Sequence, residues 1–183
     1  MPKDAVLIID MVNDFVTGKL RCEPCAQIVG EIRRIVQAAR AHMIPIIYVN
    51  DSHLPTDPEI RIWGEHSMKG SEGSSIIGEL RPLDTDFVLE KRTYSAFFET
   101  GLDILLRSLR IERVVLTGIH THICIKHTAA DAFFRGYRVV VVKDATATFK
   151  EEDHELALEY MKTMYGAEVL TAEELISSWG AGK

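Results

Sequence analysis

The sequence predicts an α/β protein of three layers, with a doubly wound, six-stranded parallel sheet between two layers of helices. Three observations carry this expectation. Six short runs rich in Val, Ile and Leu recur along the chain. Segments with apolar residues at helical spacing fall between them. Four of the six runs are continuously apolar rather than alternating, as strands covered on both faces should be.

The elements follow in order. Residues 5–9 (AVLII) read as the first strand and 44–49 (IPIIYV) as the second. Ile28, Ile32, Ile35, Val36 and Ala39 share one face of the helix between them. Residues 50–74 form the longest irregular stretch, rich in Pro, Gly and Ser yet carrying Trp63, His53 and His66. Long loops in compact domains tend to be functional. Residues 87–89 (FVL) give a third strand, and Leu102, Leu105, Leu106 and Leu109 a helix. Residues 114–116 (VVL) give a fourth strand; Ala130, Phe133 and Phe134 mark a helix closed by Gly136. Residues 139–142 (VVVV) and 168–170 complete the sheet. Ala157, Tyr160, Met161 and Met164 lie on the helix between them, the methionines as core filler.

At 183 residues, 46% hydrophobic and 26% charged, the chain suits one globular domain over 1–183. Its net charge of −6 and lack of a basic run argue against nucleic-acid binding, which needs clustered Lys and Arg. No segment approaches the roughly 20 apolar residues that span a bilayer, and no secretory leader is visible. Three cysteines make a disulfide framework improbable, so a reducing cytoplasm is expected. Cys22 and Cys25 form a CxxC after the loop TGKLR; they read as two cysteines at a helix start, neither paired nor metal-bound. His42 and His154 read as surface helix residues, and the terminal GAGK as a frayed tail.

Ligands of open parallel sheets lie beyond the carboxyl ends of the strands. Asp10 follows the first strand, Asn50-Asp51 the second, Glu90-Lys91 the third, Thr117-Gly118 and then Cys124 the fourth, and Lys143-Asp144 the fifth. Asp and Lys commonly end strands as turn and cap residues, but a carboxylate, an ammonium and a thiol on one rim support definite chemistry. Thiolate is the reactive form of cysteine, favoured by a helix N-terminus or a nearby cation. Cys124 would sit near the start of the helix carrying Ala130, with Lys91 as the cation and Asp10 as the base that takes the thiol proton. The surrounding stretch GIHTHICIKHTAAD also sets His120, His122 and His127 about Cys124. A metal cluster and a nucleophile among coincidental neighbours are both open on these residues alone. The cluster lacks the H-x-E and P-C-x-x-C of a zinc deaminase.

LIIDMVNDF, LEKRTYSAFFETGL, VVLTGIHTHICIKHTAADAFFRGYRV and VKDAT together resemble the isochorismatase-like cysteine hydrolases, a superfamily that includes nicotinamidases and N-carbamoylsarcosine amidases. The resemblance spans most of the chain. It implies a Rossmann-like, six-stranded isochorismatase-like fold and a hydrolase that cleaves a C–N bond of a small amide through a thioester. It also implies Asp10 as base, Lys91 as activating cation and Cys124 as nucleophile, with the Ile119–His120 peptide cis and the His120 and Cys124 N–H groups forming the oxyanion hole. Nicotinamidases of this family often hold a metal on Asp-x-His and a later His; Asp51, His53 and His66 match, so a divalent metal is expected, zinc first, and no nucleotide cofactor. Two departures stand out. Ser52 replaces a usual Trp, and both 120 and 122 are His where a small and an acidic residue are usual. Phe15, Trp63 and the His120 side chain are therefore expected to line a pocket that differs from the nicotinamide one. Isochorismate is disfavoured because enzymes cleaving it lack the cysteine. The expected partner is a small-molecule amide, and the expected assembly a homo-oligomer, with no nucleic acid or membrane. A binding or regulatory protein on the same fold is the alternative.

Overall fold

A computed structural model describes residues 3–180. The chain runs β1 (Asp4–Ile9), α1 (Asn13–Val16), α2 (Glu23–Gln27), α3 (Val29–Ala41), β2 (Ile46–Asp51), α4 (Ile60–Trp63), β3 (Phe87–Lys91), α5 (Leu102–Ser108) and β4 (Arg113–Ile119). A π-helical turn (Thr121–Ile125) then leads into α6 (Lys126–Phe134), β5 (Arg138–Ala147), α7 (Glu151–Tyr165), β6 (Glu168–Leu170) and α8 (Ala172–Gly180). All six strands pair in parallel, in the order β3-β2-β1-β4-β5-β6. This is the doubly wound arrangement that the sequence predicts.

The period of two along β1 builds both helix layers. Val6 and Ile8 pack with Ile32, Ile35, Leu175 and Trp179 of α3 and α8. Ala5, Leu7 and Ile9 pack with Leu102, Leu106, Ala129 and Met161 of α5, α6 and α7. Ala5 through Ile9 are fully buried, and each large aliphatic chain contributes about 1.5–3 kcal/mol. β1 is central, so its carboxyl end, flanked by β2 and β4, is where the winding reverses. Ligand crevices form at such points.

The structure revises several expectations. α8 was not anticipated, although Ala172, Leu175 and Trp179 are buried at helical spacing. The Trp179 indole donates to Asp4 Oδ2 at 2.7 Å, and the Arg113 guanidinium grips the same carboxylate at 2.8 and 2.9 Å. β5 runs on through Lys143 and Asp144, with a register shift against β4 between Leu116 and Gly118. Asp144 thus does not join Asp10 and Lys91 at the rim; its Oδ1 accepts from the Ala172 N–H at 2.8 Å and starts α8. In α6 the buried face carries Ala129 and Ala132, while Phe134 is 70% exposed. His154 is buried and shares a 2.8 Å hydrogen bond with the Thr121 hydroxyl, so it is not a surface residue. Gly180 ends α8, and the rest of GAGK lies outside the described residues. Cys22 and Cys25 are joined in a disulfide, with Cα atoms 5.2 Å apart, against the expectation of two separate thiols. The first turn of α2 folds the two-residue spacing back on itself and brings the sulfurs together.

Candidate active site

Three strand ends deliver the acidic and basic groups. Asp10 leaves β1 with a left-handed backbone, φ 57°. Asp51 and Lys91 are register partners at the ends of β2 and β3. Asp10 Oδ1 accepts from the Asp51 N–H at 2.8 Å, which fixes the carboxyl against the neighbouring strand.

Gly118 decides how the fourth strand arrives. Its φ is +103°, and a Cβ there would lie 2.0 Å from the Ile9 carbonyl oxygen. Only glycine permits this approach of β4 to β1. The cis Ile119–His120 peptide follows, and then the π-helical turn that presents Cys124.

The structure brings Asp10, Lys91 and Cys124 together in a water-excluded cluster. Lys91 Nζ lies 2.9 Å from Asp10 Oδ2, 2.5 Å from Asp51 Oδ1 and 3.6 Å from Cys124 Sγ. Asp10 and Lys91 are each 1% exposed and Cys124 5%. Burial pushes Asp10 up to about 7, aided by the Asp51 charge and opposed by the Lys91 ammonium. Burial alone would discharge Lys91, but Asp10 and Asp51 outweigh it and hold the ammonium charged. Burial also pushes the Cys124 thiol well above its ordinary value, and the nearby Lys91 charge only partly offsets that. The sequence suggests a thiol whose ionisation is favoured by its helix position and Lys91, with Asp10 taking the proton. The folded site holds a neutral thiol beside a carboxylate able to take its proton near neutral pH.

A second cluster adjoins the first. Asp51, His53 and His66 come together, and Glu59 joins them, all four buried with ligand atoms within 4.8 Å of one another. Sequence spacing did not find Glu59, because no rule links a loop residue to a strand eight positions upstream. The donor set fits a divalent metal. His53 Nδ1 donates to Asp57 at 3.2 Å and His66 Nδ1 to the Gly64 carbonyl at 2.7 Å, leaving both Nε2 atoms available as ligands. His53 Nε2 and Glu59 Oε1 are buried without a hydrogen-bond partner. Asp57, gripped by Arg92, is held ionised well below the usual carboxylate range, the kind of carboxylate partner that orients an imidazole toward a metal.

Phe15, Trp63 and His120 line one pocket with Cys124, Tyr94 and Phe149, and Asp51, Glu59 and His66 open onto the same pocket. The Trp63 indole donates to the Tyr94 hydroxyl at 3.1 Å. The His120 ring stacks on Phe149, with centroids 4.3 Å apart, and meets Phe15 edge-on. Burial lowers its pKa to about 3, so the ring is neutral. His122 does not line that pocket; it shares a 2.7 Å hydrogen bond with the Thr148 hydroxyl, which also lies 3.5 Å from His120 Nδ1. His127 is exposed and donates to its own helix at Ile123 O. The histidines around Cys124 therefore do not form a common ligand set.

The family model described as the isochorismatase domain matches residues 4–174. A solved N-carbamoylsarcosine amidase from Thermoplasma acidophilum is similar, with 46% identity, a TM-score of 0.89, and coverage of 93% of this chain and 97% of that one. A nicotinamidase/pyrazinamidase from Bacillus subtilis aligns at 36% identity and TM-score 0.87, covering 92% and 99%. A pyrazinamidase from Pyrococcus horikoshii in complex with zinc aligns at 26% identity and TM-score 0.87, covering 93% and 99%. No described helix is long and apolar enough to cross a membrane.

Proposed function

Since the chain belongs to the isochorismatase family of hydrolases, we propose that it hydrolyses a C–N bond of a small amide and releases ammonia, with Cys124 as nucleophile. The observation that carries this is the buried contact of Asp10, Lys91 and Cys124 beside a pocket. Asp10, poised near neutrality, takes the thiol proton as Sγ attacks the carbonyl carbon. Lys91 stabilises the nascent thiolate. The His120 and Cys124 N–H groups receive the oxyanion. The C–N bond then breaks, and Asp10 returns its proton to the departing nitrogen. Water, deprotonated by Asp10, attacks the resulting thioester; the acid leaves and the thiol is restored.

Asp51, His53, Glu59 and His66 would hold a divalent metal, and the zinc complex of the pyrazinamidase relative supports zinc. Such an ion supplies Lewis-acid polarisation or anchorage for a polar substrate group. Among substrates, an N-carbamoyl compound is favoured over nicotinamide. The amidase relative is more similar than the nicotinamidase one, and the His120–Phe149 stack fills a pocket wall where the nicotinamidase pattern has a small residue. Assaying ammonia release over N-carbamoyl amino acids, nicotinamide and pyrazinamide tests this. A carbamoyl substrate should turn over fastest, and Cys124→Ala should cost on the order of 10⁴-fold or more. Turnover that survives the substitution rules out the nucleophile.

A further inference from the structure

The Cys22–Cys25 pair is a cluster of reactive side chains that the proposed hydrolysis leaves unused. Cys22 immediately precedes α2 and Cys25 lies within it, and both are essentially unexposed. Both sulfurs and a ring nitrogen of His120 lie within 4.8 Å of one another. His120 comes from a distant part of the chain, the turn that follows β4, and it too is buried. Its Nε2 has no hydrogen-bond partner. A buried polar nitrogen without a partner calls for an explanation. Two sulfurs and an imidazole are a donor set for soft or borderline metals. The Asp51 cluster, by contrast, offers only nitrogen and oxygen.

We propose that Cys22, Cys25 and His120 form a second metal site, for a thiophilic divalent ion of the zinc class, that exists only when the disulfide is reduced. A phosphine reductant gives balanced chemistry: disulfide, phosphine and water yield two thiols and the phosphine oxide. The ion then displaces both thiol protons and binds two thiolates and the imidazole. In the disulfide the sulfurs carry no charge to donate, and the site is shut. Because the His120 ring also lines the Cys124 pocket, an ion bound there ties the redox state of the pair to the wall of that pocket. The proposal goes beyond the hydrolysis and does not rest on it.

Cobalt(II) titration of metal-free protein tests it, before and after phosphine reduction. Thiol counting in denaturant should show one thiol before, Cys124, and three after. The reduced chain should take up one more cobalt than the oxidised chain and gain the near-ultraviolet sulfur-to-cobalt charge-transfer band, which the Asp51 cluster cannot give. The band should survive Cys124→Ser, vanish in Cys22→Ser and in Cys25→Ser, and shift in His120→Gln. The oxidised wild-type chain serves as a control without substitution. A reduced chain with three thiols and no such band overturns the site. So does a band that depends on Cys124, or a disulfide that cannot be reduced without unfolding the protein.

Discussion

Asp10 carries the strongest constraint on chemistry at the scale of single residues. Its carboxyl is raised to about 7, chiefly by burial. A general base must be ionised, so kcat/KM should fall as pH drops through about 7 and level off above it. A carboxylate in water would instead place that limb near 4. A pH–rate profile showing a limb near 4 would remove Asp10 from the role. Asp10→Asn keeps the acceptor for the Asp51 N–H but cannot take a proton, so activity should drop roughly 10²–10⁴-fold. Asp10, Lys91 and Cys124 could be picked out of the sequence because each follows a strand and matches a family motif. Their protonation states could not, because the dominant influence on both acids is burial, and burial belongs to the fold.

The exit of β4 is the critical element. Gly118 lets this strand lie against β1, and the turn after it presents Cys124. Gly118→Ala would force a methyl group onto the Ile9 carbonyl at a φ that L-residues disfavour, and should destabilise the protein by well over 1 kcal/mol. Urea denaturation would measure this; an unchanged midpoint would contradict the packing described for the strand exit. Four of the strands are legible as elements because they are continuously apolar. α8 was missed though Ala172, Leu175 and Trp179 carry a helical pattern, since much of its anchoring comes from long-range partners: Asp4, at the opposite end of the chain, receives the Trp179 indole. The buried face of α6 was misplaced because small residues pack closest to the sheet, which leaves the large Phe134 outside.

For the molecule as a whole, metal binding should couple to stability. An ion on Asp51, His53, Glu59 and His66 would tie the end of β2 to the loop before β3, so removing it with a chelator should lower the melting temperature. An ion at a hundred times its dissociation constant contributes about 2.7 kcal/mol. Asp57→Asn removes the charged partner of His53 and should weaken metal affinity by roughly 10–100-fold. Equilibrium dialysis against zinc measures this, and unchanged affinity would count against the cluster as the site. By itself the sequence determined the doubly wound sheet, the family, and the residues that converge on the rim, because strand periodicity and the position just after a strand are local facts. Only the tertiary structure decided that Glu59 joins Asp51, His53 and His66, that Cys22 and Cys25 pair beside His120, and that the thiol rests neutral. The fold of a loop turn brings in Glu59, a local turn of α2 joins the two cysteines, and the placing of His120 beside them and the burial of the thiol depend on distance and dielectric between segments far apart in the chain.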